Sequence, residues 1–292
     1  IGDLHFTVRD FWNTLPDATT NDPPEGHTDW FPLKMAEIVS RTTEFCDLMS
    51  LSPPDGMFRT ELNEAIKGLA VKAETLPNPI VVRMMFGHII AEPVNVTKEL
   101  EHLTEGVSPD ANIQVWVGAW RSGLDWNHAK LIAVDGQYLH TGGHNMWDSD
   151  YLRGNPVHDL SFEMEGAITT GAHQFANWQW GYLQASNQQQ PAVSFLELLP
   201  IEWQENEELR NTLIDISAGY PIPPFALSSV ASFPPDATDT YPPQYTGGST
   251  SNRVLQQEDE AVVPMIGMGK QGVILDAEPS ENAFVAMFDA TR

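Results

Sequence analysis

The run Asn127-His128-Ala129-Lys130-Leu131-Ile132-Ala133-Val134-Asp135, followed after six residues by Gly142-Gly143-His144-Asn145, decides how the rest of the chain is read. Ala129 to Val134 is predicted as a strand, and on its alternating pleat His128 and Lys130, two residues apart, point to the same face. Asp135-Gly136 marks a turn and Gln137 to Thr141 suits a second strand, so a hairpin returns Asn145 towards His128 and Lys130. The glycine pair is expected to let backbone approach a ligand closely.

These residue types share a chemistry. A neutral imidazole can attack phosphorus, while an ammonium and an amide hold the phosphoryl oxygens and neutralise developing charge without a metal. The run resembles the phospholipase D superfamily, whose motif is His-x-Lys-x4-Asp followed after a similar spacer by Gly-Ser-x-Asn. One departure is Gly143, where the family usually has Ser; it removes a hydroxyl from the expected phosphate site and keeps the loop tight. The resemblance implies that His128 is nucleophile or acid, that Lys130 and Asn145 hold phosphate, and that Asp135 orders the motif. Gly142, Gly143 and Trp126 are candidate substrate contacts, and neither metal nor cofactor is expected.

In the same superfamily a carboxylate about thirty residues after the catalytic His holds the imidazole's other nitrogen, and Asp159 lies 31 residues after His128. Such a carboxylate fixes the tautomer and stabilises the positive charge that forms as the ring is phosphorylated. Asp159 is therefore the candidate orienter, with Glu163 and Glu165 next in line.

Along the chain, Lys34 to Arg41, Arg59 to Ala73 and Val96 to Leu103 carry helical spacing, while Phe45 to Leu51, Ile80 to Phe86 and Ile113 to Val117 read as strands. Strand 157–166 and a helix over Ala172 to Leu183 follow the hairpin. The alternation indicates an α/β fold, a mixed sheet flanked by helices on both faces, and the resemblance makes it a phospholipase D-like lobe. The expected organisation is an irregular leader over 1–32, the α/β lobe over 33–186, and a Pro/Ser/Thr-rich loop or lid over 187–261. Residues 262–292 would start a connection to a second lobe. A short helix over Glu205 to Ile214 is expected inside the loop region, whose Tyr220, Phe225, Phe233, Tyr241 and Tyr245 either line an amphiphile's path or pin the loop.

With 41% hydrophobic residues the chain can bury a sizeable core. Forty acidic against fifteen basic residues give a formal charge of −25, which disfavours tight binding to nucleic acid. The lone Cys46 excludes an intrachain disulfide and reads as a buried structural thiol. A start at Ile1 points to processing or trimming, and the sequon Asn95-Val96-Thr97 makes a secreted location the expectation, with a cytoplasmic one as the alternative.

No second His-x-Lys exists: the residues two before Lys34, Lys67, Lys72, Lys98 and Lys270 are Pro32, Ala65, Ala70, Val96 and Met268. In the resembled superfamily two motifs face each other, one His attacking while the other protonates the leaving oxygen. The other half is expected from a second copy of this chain or, preferentially, from a separate C-terminal chain produced by cleavage after Arg292. The expected substrate is a phospholipid or another small phosphodiester. The alternatives are a single-motif homodimeric nuclease of the same superfamily and a catalytically silent binding or toxin subunit.

Overall fold

The structure, a computed structural model, describes residues 4–6, 30–88, 94–122, 125–151, 159–189, 228–234 and 241–247. Among the described residues nine strands form one mixed sheet. They are β1 (Leu4–Phe6), β2 (Phe45–Ser50), β3 (Ile80–Gly87), β4 (Ile113–Ser122), β5 (Asp125–Trp126), β6 (Leu131–Val134), β7 (Tyr138–Gly142), β8 (Leu160–Glu165) and β9 (Ser228–Phe233). The order across the sheet is β1-β8-β7-β6-β2-β3-β4-β5, with β9 also on β4. β2, β3 and β4 run parallel, and every other pairing is antiparallel.

The pleat sorts the strand side chains between two cores. Cys46, Leu48, Val82, Met84, Phe86, Val115, Val117, Ile132 and Val134 face α1 (Trp30–Ser40), α2 (Gly56–Ala73) and α3 (Val96–Leu103). Phe45, Met49, Val81, Met85, Trp116, Leu131 and Ala133 face α5 (Ile168–Gln189) on the other side. Burial on both faces is why β2 and β3 read as continuous apolar runs rather than as alternation. Cys46 is fully buried, which pushes its thiol up and makes it a small core residue.

Three elements differ from the sequence reading. β6 opens at Leu131, two residues later than the alternation suggests, so His128 and Lys130 precede the strand. The reason is Asn127, whose amide takes the Ser50 and Met85 carbonyls at 3.0 and 3.2 Å and carries the chain across the ends of β2 and β3. The leader holds β1, paired to β8, and α1 already begins at Trp30. Three residues are too few to show a period.

The third difference lies in the segment read as loop or lid. Residues 228–233 form β9, in register with β4 from Val115↔Phe233 to Trp120↔Ser228. Its serines hide the alternation, and the pairing with β4 supplies what propensity does not. Beyond it Tyr245 is buried against α5, exchanging hydrogen bonds with the Asn177 amide at 2.8 and 2.9 Å. Phe233 and Tyr245 therefore pin this segment, while Tyr220, Phe225, the helix expected over Glu205 to Ile214 and residues 262–292 lie outside the described residues.

Candidate active site

The parallel strands β2, β3 and β4 end together, with Ser50 opposite Phe86 and Gly87 opposite Trp120. The C-terminal edge of parallel strands is where open α/β sheets commonly place ligands. Over this edge runs the segment 127–130. Asn127, buried, grips the ends of β2 and β3 as described, and its Oδ1 accepts the Ala129 N–H at 3.3 Å. Gly87 makes room for it: a β-carbon there would lie 2.5 Å from the Asn127 carbonyl and 2.9 Å from the Trp126 ring. Trp126 thus stands at the rim, half-buried, against Gly87.

His128 is exposed and Lys130 half-buried, with the Lys130 Nζ donating to the His128 carbonyl at 2.8 Å. Desolvation, then the charge of Lys130, holds the His128 imidazole below its ordinary 6.5. Burial pushes the Lys130 ammonium down to about 8, opposed by the Asp159 carboxylate. Near neutral pH the pair is a neutral imidazole beside an ammonium. That is the protonation pattern a phosphorus nucleophile and an oxyanion holder require.

Asn145 comes to the same edge, at the end of β2. Its Oδ1 accepts from the Ser50 hydroxyl at 3.2 Å and the Leu51 N–H at 3.0 Å. A main-chain N–H can only donate, so the oxygen is fixed there and Nδ2 is left as the donating end. The Asn145 N–H in turn donates to the Tyr151 hydroxyl at 3.0 Å, and that hydroxyl donates to Asp159 Oδ2 at 2.7 Å. Tyr151 ends α4 (Asp148–Tyr151), and a Tyr in a polar four-residue helix gives no signal in the sequence.

Asp159 is thus brought to Lys130 and Tyr151. Among the described residues no hydrogen bond joins it to His128, so the contact that the 31-residue spacing suggests is not made in this structure. Gly142 and Gly143 permit a close approach, but to protein. A β-carbon at Gly142 would lie 2.2 Å from the Leu160 carbonyl on β8, and one at Gly143 would lie 2.2 Å from Asp159 Oδ1. His144 is structural, buried against Phe31 with Nδ1 at 2.7 Å from the Ser161 hydroxyl. Glu163 is engaged with α1 and the residue after it, at 3.3 Å from Lys34 and 2.8 Å from Arg41.

Asp135 is not at this edge. It sits at the other end of β6, on the order of 20 Å away along an extended chain. There Oδ2 accepts from the N–H and hydroxyl of Thr43 at 2.7 and 2.8 Å, and Oδ1 from the N–H groups of Glu44 and Phe45 at 3.0 and 2.7 Å. Its φ of 52° and that of Gly136 at 65° make the tight turn into β7. Asp135 orders the entry into β2, at the end of β6 away from His128. Among the described residues no three His, Cys, Asp or Glu converge as metal ligands.

No protein-family model matches the chain. It is similar to phospholipase D of Streptomyces antibioticus, with 29% identity over 164 residues, 53% of this chain and 29% of that protein's length. The chain therefore spans less than a third of this curated relative. Among solved structures it is similar to NucT from Helicobacter pylori (12% identity, TM-score 0.38, 53% of this chain and 91% of that one). It is similar also to Nuc from Salmonella typhimurium, described as a phospholipase D family member (12%, 0.38, 54% and 90%), and to a phosphatidylserine synthase from Haemophilus influenzae (13%, 0.35, 68% and 44%). Over 53% of its length the chain is thus similar in sequence to a phospholipase D, and this similarity supports the phospholipase D superfamily for it.

Proposed function

We propose that the chain carries one half of the active site of a phosphodiesterase that cleaves the headgroup phosphodiester of phospholipids. The observation that carries this reading is one strand edge holding a neutral imidazole, a half-buried ammonium and an amide whose donating end is fixed. His128 attacks phosphorus and a P–N bond forms as the P–O bond to the headgroup breaks. Lys130 Nζ and Asn145 Nδ2 take the non-bridging oxygens, whose charge grows in the transition state. The leaving alkoxide receives its proton from the second His-x-Lys half, and water or an alcohol then displaces His128 from phosphorus.

That second half lies outside these 292 residues, and a second copy of the chain is one source of it. Which of the two His residues attacks depends on the pairing, and His128 serves as the acid if the partner attacks. A net charge of −25 favours a small phosphodiester over a polyanion, and the sequon supports an exported enzyme.

The test is headgroup release from a short-chain phosphatidylcholine, run beside nicking of plasmid DNA, with this chain alone and with its partner half. Headgroup release, with a phosphatidyl adduct mapped to His128, supports the proposal. DNA nicking without headgroup release replaces it with the nuclease reading. A folded, assembled protein that does neither is a silent binding subunit.

A further inference from the structure

Tyr151 is enclosed, its ring packed edge-on to Phe58 at 6.4 Å and tilted against His144 at 5.3 Å. Its hydroxyl lies between two groups of the site. It accepts the Asn145 N–H and donates its one proton to Asp159 Oδ2, and neither direction can reverse, because an amide N–H only donates and a carboxylate only accepts. The other carboxylate oxygen fills the space over Gly143, where any β-carbon would collide with it at 2.2 Å. Asp159 is seated from two sides, by a hydroxyl and by the absence of a side chain.

We propose that Tyr151 is a positioning residue for the phosphate site: its single hydroxyl fixes the Asn145 main chain and the Asp159 carboxylate together, in the space that glycine leaves open at position 143. This rests on the reading of Lys130 and Asn145 as phosphate-holding groups. The seat explains why Gly stands where the superfamily usually has Ser, since a serine side chain would push the carboxylate out. It also gives Asp159 a different office from orienting His128. The seated carboxylate favours the charged form of Lys130 against the burial that disfavours it, with His128 the other titratable group, among the described residues, in the field of that ammonium. Tyr151 touches no reacting atom and acts through Asp159 and Asn145.

The experiment has a catalytic arm and a folding arm. In the first, Tyr151→Phe keeps the ring and removes the hydroxyl. It lowers kcat on short-chain phosphatidylcholine about tenfold and moves the basic limb of the pH profile down, whereas added to Asp159→Asn it lowers kcat less than about twofold further. Losses that multiply in the double variant, or an unchanged kcat and limb in Tyr151→Phe, overturn the proposal. In the second arm, Gly143→Ala lowers the Tm of the wild type and lowers that of Asp159→Ala by clearly less; equal drops in both backgrounds overturn the seat. Should the wild type cleave no phosphodiester, the functional reading fails alone, and the Tm cycle still decides whether Asp159 is seated at Gly143.

Discussion

The two ends of β6 treat their polar groups in opposite ways. At the Asp135 end every group has a protein partner: four hydrogen bonds reach the carboxylate, and the Gly136 N–H donates to His173 Nε2 at 3.2 Å. That bond leaves the His173 proton on Nδ1, where it donates to Asp47 at 2.6 Å, and Asp47 receives Arg83 in a two-pronged pair at 2.7 and 2.8 Å. Burial alone would raise the Asp47 carboxyl, but Arg83 and His173 outweigh it and hold it low. The ring of His173 also stacks on Tyr245 at 4.0 Å. At the other end His128 faces solvent, and Lys130 spends one hydrogen bond on a carbonyl. A satisfied polar network rigidifies, and groups left without such a network remain available to a ligand. One sequence motif thus spans a strand whose two ends serve different purposes.

The contrast predicts crossed phenotypes. His128→Ala removes an exposed ring that nothing nearby replaces, so turnover falls on the order of 10³-fold or more while Tm stays within about 2 °C. Headgroup release and a thermal melt measure the two sides, and residual activity above a tenth of wild type would sink the nucleophile or acid assignment. Asp135→Ala does the reverse. It strips partners from three main-chain N–H groups, which water reaches in part, and places alanine at a φ of 52°. The expected loss is about 2–4 kcal/mol, or a Tm roughly 5–10 °C lower, with kcat of the folded fraction within about threefold. A stable, inactive Asp135→Ala would mean that the two ends are not separate.

Asn127 lies where the two behaviours meet, buried like the Asp135 end and placed under the reactive segment. Asn127→Ala leaves the Ser50 and Met85 carbonyls without their shared donor and releases the chain that carries His128. A loss of about 1–3 kcal/mol with a further tenfold or so in kcat is expected. Denaturant melts combined with kcat on the folded fraction separate the two, and a pure stability effect would show that the segment holds its shape without this anchor.

What could be read from the sequence follows from how local each signal is. The Asp-Gly turn, the apolar runs of β2 and β3 and the amphipathic α3 are written in consecutive residues, and the structure places them where spacing puts them. The seating of Asp135 on residues some ninety positions earlier is not local, nor is the link from Asp47 to Arg83 and on to His173, 36 and 126 residues away from it. β9 was hidden because serine-rich edge strands owe their state to the neighbour they pair with. The residues proposed to hold phosphate are legible as chemistry, whereas their supports, Asn127 and Tyr151, carry no motif and emerge only when the strand ends are brought together in space. Asp159 was found by its spacing, but its partner here is a tyrosine that spacing does not name.

The smallest expected effect, and the sharpest test of the open end of β6, is the pH profile. Burial lowers both ionisable groups there, the imidazole below its ordinary 6.5 and the ammonium to about 8. Attack by His128 requires the neutral ring, so activity rises with pH through a point below 6.5. Oxyanion binding requires the charged Lys130, so activity falls again as pH rises through about 8. If His128 is instead the acid, its protonated form is required, and activity falls on the acid side where the first case has it rise. Lys130→Arg separates the basic limb from other causes. A guanidinium keeps its charge at any pH the assay reaches, so the limb near 8 disappears, although the planar fork fits a site built for an ammonium less well and the plateau drops about tenfold. A basic limb that stays near 8 in Lys130→Arg would assign it to another group and remove Lys130 from the oxyanion role.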